Sequence, residues 1–247
     1  LPAGWRGLAP DLRGFGGSKP LLEANDIPTG KRIGGRIARS DEPILTMPRA
    51  ADDVADVIEA QADGPVVVCG LSMGGYVALE LVRRRPDLVR GLILADTRAR
   101  ADTDEGRENR MRMAHAARTS GARPIAAVMI PTLLTRATLE GEPELVERVR
   151  TMIVDTPTPT IVAVLAGMAG RHDFDGELAS IDVPTLVVVG EGDRITPPDA
   201  ARSLAEGIPG AALAVIPDAG HLANLENPDA FNRALAAFLD GLEGRPG

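Results

Sequence analysis

One serine in a glycine-rich turn is the residue of this sequence best placed to act as a nucleophile. Ser72 lies in Gly70-Leu71-Ser72-Met73-Gly74, which fits the pattern G-x-S-x-G. A serine hydroxyl is a poor nucleophile unless a base removes its proton, so the chemistry would need a histidine nearby. With 27 glycines in 247 residues, chance would supply the pattern in roughly 7% of such chains. The surrounding elements must therefore decide between a nucleophile and an ordinary helix-capping serine.

The surroundings of Ser72 favour the nucleophile. The β-rich run Val66–Cys69 precedes the pattern directly, and a helical pattern opens at Gly75. A strand, a tight turn and a helix in this order present a serine Oγ at the end of a sheet, where the helix N-terminus favours developing negative charge. The Met73 N–H would then be one donor to the oxyanion.

His221 is the predicted base among the three histidines. It lies in the segment 217–222, just after the last predicted strand, from where its side chain can reach the sheet end that carries the serine. His115 falls within a helical stretch. His172 adjoins an aspartate and is interpreted as a surface residue.

Asp193 is the predicted third member, which would orient the imidazole and stabilise its charged form. It follows the predicted strand Thr185–Val189 in Gly190-Glu191-Gly192-Asp193, where Glu191 is interpreted as a loop residue. Asp96 is a competing candidate, because it ends the predicted strand Leu92–Ala95 at the same edge of the sheet.

Short apolar runs alternate with helical patterns along most of the chain. Because these runs are continuously apolar, they predict strands buried on both faces of a mostly parallel sheet. A weak candidate strand is Gly7–Pro10, and the strong ones are Val66–Cys69, Leu92–Ala95, Thr185–Val189 and Ala212–Ile216. Helices are predicted over Ala51–Ala62, Gly75–Arg85, Pro198–Glu206 and Pro228–Leu242. This alternation indicates an α/β fold.

Residues 97–183 interrupt the alternation, with no strong strand and four helical patterns, around Glu105–Thr119, Pro124–Leu134, Glu144–Ile153 and Thr160–Met168. We therefore predict a helical insertion (residues 97–183) between two strands of an α/β core formed by residues 1–96 and 184–247. Five of the seven methionines lie in the insertion, either as gap-filling core or as an adaptable apolar wall over a pocket. The polar stretch 18–43 is predicted as a loop.

The composition is that of an ordinary globular chain, with 44% hydrophobic and 25% charged residues, a formal net charge of −8 and a pI near 5.0. A nucleic-acid partner would need a basic surface, and no apolar stretch is long enough to predict a transmembrane helix. The lone Cys69 cannot form an intrachain disulfide and is expected in the core. The histidines show no metal-ligand spacing. We expect no nucleic-acid or membrane partner, no metal or organic cofactor, and a cytoplasmic location, with a leader upstream of Leu1 left open.

Together these motifs resemble the α/β-hydrolase superfamily. The matching segments follow the family's order across nearly the whole chain: Trp5–Gly16, Gly70–Gly75, Val183–Asp193 and Ala219–His221. Within the superfamily the sequence is most similar to the esterase and lactonase group that includes 3-oxoadipate enol-lactonase. The resemblance implies a mostly parallel sheet flanked by helices, a helical lid where the insertion lies, and the chain order Ser, Asp, His for the triad. Branches with an aspartate nucleophile do not fit a serine in the turn.

One family feature is missing from this sequence. Members carry an N-terminal block of strands that ends in a His-Gly loop, which supplies the second oxyanion N–H, and no His-Gly pair occurs here. Residues Leu1–Gly14 instead match the segment that follows that loop. Because a parallel sheet cannot lose an interior strand without leaving backbone groups unpaired, we expect a further N-terminal segment that carries the second donor.

The sequence thus predicts a serine hydrolase of small-molecule carboxylic esters or lactones, acting through an acyl-enzyme on Ser72 with Asp193 and His221. Two alternatives stay open. The same triad could serve perhydrolysis or the hydrolysis of a carbon–carbon bond, or the fold could bind a ligand without catalysis.

Overall fold

A sheet of four parallel strands lies at the centre of the part of the chain that the computed structural model describes, residues 1–18 and 43–243. The strands follow one another in the sheet in chain order: β1 (Val66–Leu71), β2 (Val89–Ala95), β3 (Thr185–Gly190) and β4 (Ala212–Ile216). All three pairings are parallel, so the carboxyl ends of the four strands meet at one edge of the sheet. The predicted α/β class, with a parallel sheet flanked by helices, is confirmed.

Ten α-helices accompany these strands within the described residues. They are α1 (Met47–Gln61), α2 (Met73–Arg84), α3 (Asp104–Ser120), α4 (Ala122–Leu133), α5 (Arg136–Gly141), α6 (Pro143–Val154), α7 (Thr158–Ala169), α8 (Pro198–Gly207), α9 (Ala223–Glu226) and α10 (Pro228–Glu243). The eight predicted helices correspond to eight of these, and the two short ones, α5 and α9, had no sequence signal. Helices α3 to α7 all lie between β2 and β3, in the helical insertion.

The two faces of the sheet bury different helices because successive side chains of a strand point in opposite directions. On β2, Leu92 and Leu94 pack in the cluster that contains the apolar faces of α1, α2 and α8. Ile93 and Ala95 pack in a second cluster with Phe231 of α10. Strands β2 and β3 are therefore buried on both faces, as their continuous apolar runs predict.

Strands β1 and β4 are more exposed than predicted because each lies at an end of the strand order within the described residues. Leu213 and Val215 of β4 are 38% and 43% exposed. The side chain of Cys69 on β1 is exposed, so its predicted place in the core is wrong. A groove of about 840 Å³ runs along β1 and is lined in part by residues 4–10.

The predicted strand Gly7–Pro10 is also wrong, because residues 7–10 are irregular and exposed. The expectation of a further strand upstream of Leu1 stays a prediction. The loop predicted over 18–43 lies outside the described residues apart from its two end positions.

The helical insertion has its own apolar clusters, and four of its methionines pack against one of them. Met111, Met113, Met129 and Met168 are partly buried against Ala and Ile side chains of α3, α4 and α7, as gap-filling residues are. Met152 is 59% exposed. Within residues 1–18 and 43–243 no single helix is both long and apolar enough to cross a membrane, and only α6 with α7, bent by 88°, would qualify as a pair.

A buried aspartate joins the two ends of the helical insertion. Asp102, just before α3, forms an ion pair with Arg171, which follows α7, at 2.7 Å between Oδ1 and Nη1. It also accepts a hydrogen bond from Arg110 of α3. The side chains of Asp102 and Arg171 are each 2% exposed. Burial alone would raise the pKa of Asp102, but the hydrogen bonds and charges of the two arginines outweigh it and lower the pKa.

We predict that Asp102→Asn lowers the free energy of unfolding by about 3–5 kcal/mol, because it leaves buried guanidinium groups without a counter-charge. Urea unfolding followed by circular dichroism measures the loss. The matched control is Asp104→Asn: Asp104 pairs with Arg107, but its side chain is 97% exposed, so that change should cost no more than about 1 kcal/mol. Equal losses in the two variants would contradict the role of Asp102.

Candidate active site

Ser72 occupies the turn between β1 and α2 in a strained backbone conformation, with φ of 53° and ψ of −113°. A non-glycine residue at positive φ costs free energy and persists only where its surroundings enforce it. The enforcing contact is a close passage of two backbones: a Cβ on Gly70 would lie 2.2 Å from the carbonyl oxygen of Gly74. Only glycine therefore fits at position 70. The Ser72 side chain makes no capping bond to α2, so the helix-cap interpretation is wrong.

Strand β2 holds this turn from the side. The Ser72 N–H donates to the carbonyl of Ala95 at 2.9 Å, and the Thr97 hydroxyl donates to the Ser72 carbonyl at 2.8 Å. Thr97 also fills the space over Gly75, where a Cβ would lie 2.4 Å from its Oγ1. Thr97 was not among the residues predicted from the sequence, although a polar residue two positions after a buried strand is a signal that could have found it.

The structure brings Ser72, His221 and Asp193 into one hydrogen-bonded line. His221 Nε2 lies 2.7 Å from Ser72 Oγ, and His221 Nδ1 lies 2.8 Å from Asp193 Oδ2. His221 and Asp193 are 2% and 3% exposed, while Ser72 is half-buried and so open to a substrate. Asp193 follows β3 and His221 follows β4, so the two side chains come from the carboxyl ends of different strands. His221 reaches Ser72, and Asp193 reaches His221.

Asp193 is held by hydrogen bonds from the residues that follow it. Its Oδ1 accepts from the N–H groups of Ile195 at 2.8 Å and Thr196 at 2.9 Å. Its Oδ2 accepts from the Thr196 hydroxyl at 2.6 Å as well as facing His221. Burial would raise the pKa of Asp193, but the hydrogen bonds from His221 and Thr196 outweigh it and hold the pKa below its ordinary value. The carboxylate therefore stays charged beside the imidazole. Sequence reasoning missed Thr196.

Asp96 lies near the line of three but does not join it. It sits at positive φ of 45° and is fully buried, and its Oδ1 accepts from the Gly190 N–H at 2.8 Å. Burial raises the pKa of Asp96 to about 7, the Gly190 bond opposes that rise, and the charge of Asp193 adds to it. His221 faces Asp193 instead, so the geometry favours Asp193 over Asp96 as its partner.

The other residues weighed from the sequence lie away from this site or face solvent. His115 is exposed on α3. His172 faces Glu177, with 2.7 Å between Nε2 and Oε1, and is partly exposed, in line with its interpretation as a surface residue. Glu191 is exposed in the loop after β3.

In this arrangement Ser72 can act as a nucleophile and His221 can accept its proton. His221 Nε2 is within reach of the Ser72 proton, and Asp193 fixes the imidazole so that Nε2 faces the serine. Met73 begins α2, and the first N–H groups of a helix have no partner within it, so they can donate to a developing oxyanion. A serine on a strained strand-to-helix turn, with an imidazole in reach, narrows the class to hydrolases of the α/β type.

The chain belongs to the α/β-hydrolase family, whose model, described as "Alpha/beta hydrolase family", matches residues 1–234. It is 31% identical over 252 residues to the pimeloyl-[acyl-carrier protein] methyl ester esterase of Neisseria meningitidis serogroup A, covering 100% of this chain and 72% of that protein. The expected resemblance to the esterase and lactonase group of this family is confirmed.

The solved structures that are similar to this chain include an esterase and an enol-lactonase. One is a thermophilic esterase from Thermogutta terrifontis, malate bound, with 39% identity, a TM-score of 0.83 and coverage of 94% of this chain and 78% of that one. The other is the enol-lactonase from Burkholderia xenovorans LB400, with 30% identity, a TM-score of 0.74 and coverage of 82% and 77%.

Thr196→Val should lower kcat/KM for an activated ester about tenfold. The change removes the hydroxyl that donates to the buried Asp193 carboxylate but keeps the Thr196 N–H, which donates to the same carboxylate. The fall is measured from the dependence of kcat/KM on pH. Thr196→Ser keeps the hydroxyl and should therefore retain most of the activity. A valine variant with wild-type kcat/KM would show that the hydroxyl does not support Asp193.

Asp96 should make folding stability depend on pH. Burial raises its pKa from an ordinary value of 3.8 to about 7 in the folded state. The folded state therefore binds the extra proton between these values, and the free energy of unfolding falls as pH rises through that window. Asp96→Asn mimics the protonated carboxyl group. It should therefore abolish a pH-dependent decrease in the free energy of unfolding of up to about 4 kcal/mol. Urea unfolding of both proteins below and above the window measures the difference, and parallel pH dependences would contradict the assignment.

Proposed function

We propose that this protein hydrolyses carboxylic esters or lactones through an acyl-enzyme on Ser72. The observation that carries the proposal is the hydrogen-bonded line from Ser72 Oγ to His221 Nε2 at 2.7 Å, and from His221 Nδ1 to Asp193 at 2.8 Å. The names of the similar proteins support the bond type, since they include a methyl ester esterase, an esterase and an enol-lactonase.

In the first half-reaction Ser72 Oγ attacks the carbonyl carbon of the ester while His221 Nε2 takes the hydroxyl proton. The carbonyl oxygen becomes an oxyanion, which the Met73 N–H and the positive end of α2 stabilise. His221 then gives its proton to the departing alkoxide as the bond between carbon and oxygen breaks, and the acyl group remains on Ser72. In a lactone the departing alkoxide stays attached to the acyl chain.

In the second half-reaction water replaces the alcohol. His221 removes a proton from the water as it attacks the acyl carbonyl, and returns that proton to Ser72 Oγ when the acid leaves. Asp193 keeps its negative charge throughout and stabilises the imidazolium that forms twice per turnover.

Labelling with a fluorophosphonate tests the nucleophile directly, because Ser72 Oγ would displace fluoride and keep the phosphonyl group. We expect one label per chain, located on Ser72 by peptide mass spectrometry, and a fall in ester hydrolysis of at least about 10³-fold in Ser72→Ala. Ser203→Ala, the same change on the exposed surface of α8, should keep full labelling and activity. An unlabelled wild-type protein that is folded would rule out the proposal.

A further inference from the structure

A glutamate five residues after His221 connects the histidine loop to the helical insertion. Glu226 ends the short helix α9. Its Oε2 accepts a hydrogen bond from the N–H of Gly220 at 2.6 Å, and its Oε1 accepts from the N–H of Thr135 at 2.7 Å and from the hydroxyl of Thr138 at 2.6 Å. One carboxylate therefore joins the residue before His221 to the start of α5, about ninety positions away in sequence.

The donors on the insertion side are fixed in their own right. Thr135 caps the N-terminus of α5, with its hydroxyl accepting from the Thr138 N–H at 3.2 Å. The Glu226 carboxylate therefore faces one backbone donor, the Thr135 N–H, and one side-chain donor, the Thr138 hydroxyl. Bonds of this type, from backbone and hydroxyl donors to an ionised carboxylate, are shorter and stronger than neutral ones.

The same turn of the insertion touches His221 directly. The His221 N–H donates to the carbonyl of Leu133, the last residue of α4, at 2.9 Å. Gly220 has no room for a side chain, since a Cβ there would lie 2.8 Å from Glu226 Oε2 and 3.0 Å from the Leu133 carbonyl oxygen. The backbone on both sides of the His221 peptide N–H is thus held against residues 133–138.

The loop that carries Asp193 meets the same place. The Gly192 N–H donates to the carbonyl of Ala219 at 2.8 Å, and a Cβ on Gly192 would lie 3.5 Å from Thr135 Cγ2. A displacement of the turn between α4 and α5 would therefore act on the backbone of the histidine loop, and through it on the distance between His221 Nε2 and Ser72 Oγ.

We propose that Glu226 is a positioning residue that ties the His221 loop to the α4–α5 turn of the helical insertion, so that the placement of the insertion sets the reach of His221 to Ser72. This rests on the proposed function, in which His221 is the base. Displacing a catalytic group by about 1 Å can cost roughly 100-fold in rate, whereas the substrate contacts need not change. The expected signature is a fall in kcat with KM nearly unchanged.

Glu226→Gln is the sharpest variant, because an amide has one acceptor oxygen and one donor nitrogen. Either the Gly220 N–H or the Thr135 N–H must then face an NH₂ group, so at least one backbone donor of the connection loses its acceptor. We expect kcat for a simple ester to fall about 10- to 100-fold, the rate of fluorophosphonate labelling to fall by the same factor, and KM to change less than about threefold.

Two further variants keep the test decisive. Thr138→Val removes one donor on the insertion side and should lower kcat and the labelling rate in the same direction by a smaller factor, and combining it with Glu226→Gln should be less than additive. If Glu226→Gln does not fold, Thr138→Val carries the test alone. The matched control is Glu140→Gln on the exposed side of α5, where Glu140 pairs with Arg136, and it should keep wild-type kcat.

The outcomes separate this inference from the proposed function. A wild-type protein without label would end the proposed function and this inference with it. If the wild type is labelled on Ser72 but folded Glu226→Gln retains wild-type kcat and labelling rate, only the positioning role is overturned. A variant that unfolds at lower urea concentration yet has wild-type kcat when folded would likewise overturn it, because that result describes a purely structural contact.

Discussion

The close passage of β1 and the start of α2 is the constraint on which the rest of the site depends. The backbone of Gly74 passes so close to Gly70 that a side chain on Gly70 would clash with the Gly74 carbonyl, and the turn that results holds Ser72 at positive φ. A strained conformation survives only when neighbouring groups enforce it. Here β2 does so, through the Ala95 carbonyl and the Thr97 hydroxyl. The sheet thus holds the serine before any partner is considered.

The partners reach Ser72 because parallel strands end at one edge. The last residue of β3 is joined to the residue after β2 by the bond from the Gly190 N–H to Asp96. The loop after β3 is joined to the loop after β4 by the bond from the Gly192 N–H to the Ala219 carbonyl. These connections leave the imidazole of His221 little freedom, as the proton transfer that we propose for it requires. Residues 133–138 of the helical insertion also contact the loop that carries His221. In our proposal the placement of the insertion and the alignment of Ser72, His221 and Asp193 therefore depend on the same contacts.

Sequence patterns predicted the elements whose signals are local. Continuous apolar runs found all four strands, and helical spacing found the eight longer helices. They failed where the outcome depends on what a segment packs against. Gly7–Pro10 has a strand-like run but no described strand beside it, and Cys69 lies in an apolar run yet faces the groove along β1. The short helices α5 and α9 are joined by hydrogen bonds from the Thr135 N–H and the Thr138 hydroxyl to Glu226, and such contacts are not visible in a period of 3.6 residues.

The sequence by itself determined the fold class, the strained turn and the three residues that could act together. These features depend on the residue type at single positions. Examples are a glycine where two backbones nearly touch and a polar residue just after a buried strand. Only the tertiary structure decided between Asp193 and Asp96 as the hydrogen-bond partner of His221, and only it showed the hydrogen bonds that Thr97, Thr196 and Glu226 make around the site. The reason is physical: hydrogen bonds between loops far apart in the chain depend on register and packing, which residue types at fixed spacings do not contain.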